Sequence, residues 1–317
     1  MRVLLWHVHG SYTTALVQGR HTYLLPVEPG RGPDGRGRAR TWDWPERARE
    51  LTREELARTD VDVVVLQRPA ELEGLGREWL GGRVPGRDLP ALYLEHNAPQ
   101  GRIAELRHPA ADRTDLVVVH VTAFNDLFWD CGRTPTRVIE HGIVDPGHRY
   151  TGELARAAVV VNEPLRRGRV TGTDLLPRFA AAAPLDLYGM GVGGLELAGV
   201  VTHENVVQAE LHTALARRRA YLHPIRWTSL GLALIEAMQL GLPVVAVGAT
   251  EAFEAVPPEC GVVSTDVDRL AAALRRLIGD ADLARAHGEK ARAYALERYG
   301  LARFLREWDA LFEEVTA

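Results

Sequence analysis

The chain has 317 residues and a formal net charge of −4, a length that accommodates two domains of roughly 150 residues and a charge that excludes an overall field favouring nucleic acid or an acidic membrane surface. With 46% hydrophobic and 25% charged residues, the composition excludes large-scale disorder and describes a folded globular chain. Cys131 and Cys260 are too few for a disulfide framework or a cysteine-based zinc site, so a reducing cytoplasm is the expected location.

Continuous apolar runs recur at residues 3–8, 23–27, 61–66, 91–94 and 116–121, then at 158–161, 185–188, 220–222, 244–247 and 261–263. Runs without polar alternation imply strands covered on both faces, and the helical patterns between them imply parallel α/β sheets. The first run is too short for a signal peptide and no later stretch reaches the ~20 apolar residues of a membrane span, which limits membrane contact to the peripheral kind. Strand one leads into His9-Gly10-Ser11 and a helix, bringing small residues to the carboxyl end of a parallel strand, where open α/β sheets bind ligands. Residues 30–40, GRGPDGRGRAR, flanked by Trp42 and Trp44, read either as a mobile solvated loop or as an acceptor-side flap contacting anions. His96 ends the run ALYLEH at another carboxyl end. His120 and His141 also close apolar runs and read as structural histidines.

Gly and Pro break the strand–helix rhythm at residues 146–153, which places the domain boundary there: 1–150 and 151–300, with 301–317 as a terminal helix. After the run AAVVVNE comes PLRRGRVTGTDLL, in which Arg166, Arg167 and Arg169 precede a helix expected from Gly172 or Thr173. By itself such a run reads as an exposed basic loop. Tyr188-Gly189-Met190-Gly191 forms a tight turn after the next strand. Asp266 is expected to cap a helix through Leu270, Leu274 and Leu277.

The most informative stretch is residues 221–247, YLHPIRWTSLGLALIEAMQLGLPVVAV. A strand ends at Pro224, Thr228, Ser229, Leu230, Gly231 and Leu232 lead into a helix, and Gly241 with Pro243 stops it before the next strand. Free N–H groups and the positive dipole end of such a helix attract a diphosphate. Glu236 lies one to two turns in, where its carboxylate either accepts hydrogen bonds from ribose hydroxyls or simply faces solvent or an arginine. Metal signals are weak. Asp60-Val61-Asp62 and Asp266-Val267-Asp268 precede their apolar segments and suit cap and turn duty. The dinucleotide fingerprint GxGxxG and the H-E-x-x-H, G-x-S-x-G and Walker-A patterns do not occur.

This run resembles the signature of family-four retaining glycosyltransferases, Pro-Ser-x-x-Glu-x-Phe-Gly-Leu-x-x-x-Glu-Ala-Met-x-x-Gly-x-Pro-Val-Val. Pro224, Gly231, Leu232, Glu236, Ala237, Met238, Gly241, Pro243, Val244 and Val245 match it, while Thr228 stands in place of its first Glu and Leu230 in place of Phe. The resemblance implies an α/β fold of two Rossmann-like doubly wound domains facing across a cleft (GT-B). The first would bind the acceptor and the second the nucleotide-sugar, with the last helix crossing back to the first. It implies retaining transfer of a hexosyl unit from a nucleoside diphosphate sugar to an acceptor hydroxyl, with no metal and no nucleic acid partner. Donor contacts would come from Gly10, Ser11, residues Thr228 to Leu232 and Glu236. His96 would meet the reacting sugar. Arg166, with Arg169 standing in for a family lysine whose position holds Thr171, would clamp the diphosphate. Two alternatives stay open: a sugar-nucleotide epimerase or hydrolase on the same scaffold, and a non-catalytic nucleotide-sugar-binding partner protein, for which Thr228 is the motivating departure.

Overall fold

The apolar runs become the interior strands of two all-parallel sheets. The computed structural model describes residues 1–317 and divides into two units, Met1–Val144 with Leu301–Ala317, and Asp145–Gly300. In the first, β1 (Arg2–Leu5), β2 (Thr22–Pro26), β3 (Ala48–Leu51), β4 (Val63–Leu66), β5 (Ala91–Glu95), β6 (Val117–His120) and β7 (Thr136–Val138) lie in the order β3-β2-β1-β4-β5-β6-β7. In the second, β8 (Leu154–Val160), β9 (Leu185–Gly189), β10 (Val200–Glu204), β11 (Arg218–His223), β12 (Val244–Val247) and β13 (Gly261–Ser264) lie in the order β10-β9-β8-β11-β12-β13. Every pairing is parallel. Three strands have no counterpart among the apolar runs: β3, β7 and β10. All three are edge strands.

Central strands such as β4, VVVL, are buried at every residue because helices cover both faces. The Leu301–Thr316 helix completes the first unit. It buries Phe304, Trp308, Leu311 and Phe312, its Trp308 indole donates to the Tyr12 hydroxyl at 3.1 Å, and Gly142 lies so close to Phe304 that a Cβ there would sit 2.3 Å from that ring. In the second unit Asp266 caps the Val267–Gly279 helix by accepting from the Asp268 and Arg269 N–H groups. Asp62 accepts from the backbone and guanidinium of Arg2. No helix is long and apolar enough to cross a membrane.

One buried carboxylate laces four strands of the second sheet together. Asp186 of β9 accepts from Arg156 of β8 at 2.9 Å and from Arg218 of β11 at 2.7 Å, and His203 of β10 lies 3.5 Å away. Burial alone would push this carboxyl up; the two guanidinium groups outweigh it and hold Asp186 below its ordinary value. Its contribution is therefore fully present above the unfolded value near 4 and is lost as pH falls through the lower folded one. Asp186→Asn leaves two guanidinium groups without their counter-charge and should cost about 3 kcal/mol in chemical denaturation at pH 7. The gap from wild type should narrow below pH 4. A loss under about 1 kcal/mol would show that the network does not stabilise the sheet.

Candidate active site

Strand order reverses once in each sheet, between β1 and β4 and between β8 and β11. Connections diverge at such a point and leave a crevice outside the carboxyl ends, which is where open α/β sheets take their ligands. The segments singled out from the sequence fall at these two positions.

In the second unit, β11 ends at His223 and the chain runs through Pro224 to Gly231 before the Leu232–Leu240 helix. Gly231 is the N-cap, with no side-chain cap and no acidic residue in the first turn, so the first-turn N–H groups keep their capacity for an anion. A Cβ on Gly231 would lie 2.8 Å from the His223 ring, so a larger residue there would have to displace that ring. Ser229 and Leu230 are buried, while Thr228, Gly231 and Leu232 remain half-exposed. Glu236 is the fifth residue of the helix and only 5% exposed. Neither solvent nor an arginine satisfies it. Gln208 Nε2 donates to Glu236 Oε2 at 2.9 Å and His212 Nε2 lies 3.4 Å from the same oxygen, both from the Gln208–Arg217 helix. These two residues carried no signal in the sequence. Both contacts end on Oε2.

The arginine loop is docked against the same place. Backbone N–H groups of Arg226 and Trp227 donate to the Val170 carbonyl, and Gly172, at φ +74°, approaches so closely that a Cβ would sit 2.0 Å from the Pro224 carbonyl oxygen. A helix begins after Gly172 as one short turn, Thr173–Leu175, followed by Leu176–Ala180. Arg169 and Arg226 both pair with Asp174, at 3.0 and 2.5 Å. Arg166 stands 3.6 Å from Glu163. Arg167 is half-buried, and burial together with the neighbouring charge of Arg166 lowers its pKa. Gly189, at φ +149°, packs on the Val161 carbonyl, and Glu204 accepts from the Gly191 and Gly193 N–H groups, so the Tyr188 to Gly191 turn stands beside the arginine loop.

In the first unit, Gly10 and Ser11 open the Gly10–Leu16 helix after β1, and the Trp42 ring lies over Gly10 where a Cβ would meet it at 2.4 Å. His96 follows β5 and packs on His9, ring centroids 4.2 Å apart. Gln67, after β4, orients it: Gln67 Nε2 donates to the Trp6 carbonyl, so its Oε1 faces His96 Nε2 at 2.9 Å and that nitrogen is the donor. The turn carrying His96 is fixed by Glu95, which accepts from the Asn97 N–H at 2.7 Å and from His108 Nε2 at 3.1 Å. The segment 30–40 is a tethered structure. Arg31 pairs with Glu50 at 2.7 Å, the Arg38 N–H donates to Glu50, and the Gly37 carbonyl meets His7 Nδ1.

Residues 170–280 match the family model described as "Glycosyl transferases group 1". The matched stretch lies within the second unit. The whole chain is similar to sucrose-phosphate synthase from Thermosynechococcus elongatus at 16% identity, covering 99% of this chain and 98% of that one with a TM-score of 0.72. It is similar to Anabaena HepE in complex with UDP-glucose at 16% identity, covering 99% and 100%, TM-score 0.72. A third likeness is to AviGT4, a glycosyltransferase involved in avilamycin A biosynthesis, at 17% identity, 100% and 98% coverage and TM-score 0.61. No curated protein matches by sequence. These likenesses establish the GT-B glycosyltransferase fold for both units.

The approach of Gly172 to Pro224 gives the packing of the second unit's two loops a test. Gly172→Ala would force a Cβ onto a backbone oxygen at a left-handed position, and should lower stability by about 2 kcal/mol or more in denaturant titration. An unchanged midpoint would mean that the two loops do not meet as described.

Proposed function

We propose that the chain is a retaining glycosyltransferase that moves a hexosyl unit from a nucleoside diphosphate sugar to an acceptor hydroxyl. The observation that carries this reading is the placement of Glu236, a buried carboxylate whose Oε2 is held by Gln208 and His212, one turn beyond an uncapped helix start. In this reading the pyrophosphate rests on the N–H groups around Leu230, Gly231 and Leu232, with Thr228 and Ser229 alongside, and Glu236 Oε1 accepts from a ribose hydroxyl. Arg166 and Arg169 stabilise the charge that develops on the departing diphosphate, and they supply cationic charge from the protein itself without a metal. Gly10 and Ser11 line the phosphate and acceptor side. His96, whose Nε2–H is given to Gln67, would accept from a sugar hydroxyl at Nδ1 as a neutral imidazole, because burial together with the nearby His9 and His141 holds its pKa well below the ordinary value. Transfer proceeds on the front face, the leaving phosphate oxygen helping to take the acceptor proton, so no side-chain nucleophile is needed. Thr228, where the resembling family has Glu, favours one second reading, a nucleotide-sugar-binding partner that does not turn over.

Since HepE binds UDP-glucose, that is the first donor to test. Glu236→Ala should weaken UDP binding by roughly tenfold or more in calorimetry, the effect of one or two lost hydrogen bonds to a charged acceptor; equal affinity would remove the ribose assignment. The double variant Arg166→Ala/Arg169→Ala should lower kcat by at least about tenfold. Its stability should stay close to wild type, because the two side chains are 71% and 77% exposed. Donor binding with no transfer to any hydroxyl acceptor in a broad panel would favour the non-catalytic reading.

A further inference from the structure

The Gln208–Arg217 helix starts shortly after β10 and turns Gln208 and His212, one helical turn apart, toward Glu236. Three distances define the group: Gln208 Nε2 lies 2.9 Å from Glu236 Oε2 and 2.9 Å from His212 Nε2, and His212 Nε2 lies 3.4 Å from Glu236 Oε2. A side-chain amide nitrogen carries two hydrogens, and here one goes to each neighbour. His212 Nε2 is then the acceptor, since a hydrogen on it would set two donors face to face at 2.9 Å; the imidazole proton sits on Nδ1. Turned the other way, the amide would press its carbonyl oxygen against the carboxylate. His212 therefore fixes which end of the Gln208 amide meets Glu236. The side chains of His212 and Glu236 are only 12% and 7% exposed, so the group is largely shielded from water and the direction of each bond counts for more. The start of the helix is braced as well: Glu204 accepts from the Gly191 and Gly193 N–H groups, and the Asn205 N–H donates to the Gly189 carbonyl.

We infer that Gln208 and His212 are positioning residues for donor binding: His212 sets the Gln208 amide, the amide holds the Glu236 carboxylate, and the relay makes affinity depend on the ribose hydroxyls. The inference rests on the proposed function, which gives Glu236 the ribose. A glutamate side chain has several rotamers, and ordering it at the moment of binding subtracts from affinity. Glu236 is ordered beforehand by a neutral donor, which keeps its negative charge for the ligand, whereas an arginine in the same place would neutralise it. The relay differs in its consequences from simple occupancy. Were Gln208 only standing in for a hydroxyl that displaces it, its removal would free the carboxylate and tighten binding; a positioning amide has the opposite sign.

Calorimetry on the full chain tests it, with whichever of UDP, ADP and GDP binds, the 2′-deoxy and 3′-deoxy analogues of that nucleotide, and inorganic pyrophosphate. Wild type should prefer the nucleotide to at least one analogue by about tenfold or more. Gln208→Leu keeps the bulk and removes the amide; it should weaken nucleotide binding roughly tenfold and shrink the preference over the analogue to about threefold or less, with pyrophosphate affinity unchanged. His212→Leu should act in the same direction, and His212→Gln, whose side-chain carbonyl can accept from Gln208, should recover much of the loss. Should Gln208→Leu fail to fold, the two His212 variants carry the comparison. The inference is overturned if Gln208→Leu binds nucleotide as tightly as wild type or more tightly, if it keeps the full preference for ribose, or if pyrophosphate binding falls in step. A wild type that binds nucleotide and both analogues alike removes the ribose assignment of Glu236, and failure of every nucleotide to bind removes the transferase reading; the inference falls with either. Ribose preference in wild type retained by Gln208→Leu overturns the relay alone.

Discussion

The contact between the Gly172 backbone and the Pro224 carbonyl is the constraint on which the second unit's site depends. Strands β8 and β11 are neighbours, but their loops leave toward different helices, and nothing in parallel pairing alone makes those loops touch. Absence of a side chain at residue 172 lets them come within backbone distance, and the Val170 carbonyl then accepts from Arg226 and Trp227. The same contact places the arginine loop beside an uncapped helix start. Arg226 strengthens it by binding the Arg169 carbonyl and sharing Asp174 with the Arg169 guanidinium, so part of the loop's positive charge is used to fix its own shape.

How much of the fold was legible follows from where each strand sits. β1, β4, β5, β8, β11 and β12 are interior, and each carries an apolar run, although β8 also holds Arg156 and β11 opens on Arg218 and Arg219. β3 reads Ala-Arg-Glu-Leu, β7 Thr-Arg-Val and β10 Val-Val-Thr-His-Glu. Each borders its sheet on one side only, so polar residues are tolerated and even useful against edge-to-edge pairing. Local pattern therefore misses them, and with β3 it misses the meaning of residues 30–40. That segment looks like a solvated loop or a flap because its partner, Glu50, lies on the strand that periodicity does not reveal.

A similar division separates the legible and illegible parts of the site. The position of Glu236 could be read from spacing, because helix rise and the Gly241 stop are local properties. Its partners could not. Gln208 and His212 lie 28 and 24 residues earlier, and polar residues four apart on a helix normally mark a water-facing side. Gln67, which orients His96, sits 29 residues away at the end of another strand. His141 was legible only as a structural histidine, since burial without partners is a property of the assembled packing around Tyr12 and Phe304. Contacts of this kind depend on tertiary assembly, which leaves no periodic trace in a single chain.

The membership of Leu301–Ala317 in the first unit has a consequence for biosynthesis. Domains acquire structure as units while the ribosome delivers the chain from its amino end. Residues 145–300 are contiguous and can close their core as soon as they emerge. The amino-terminal unit, although translated first, keeps the apolar surface around Tyr12 and Gly142 uncovered until Phe304, Trp308 and Phe312 arrive. It begins earliest and finishes last, and this interval is when a nascent molecule has most need of a chaperone.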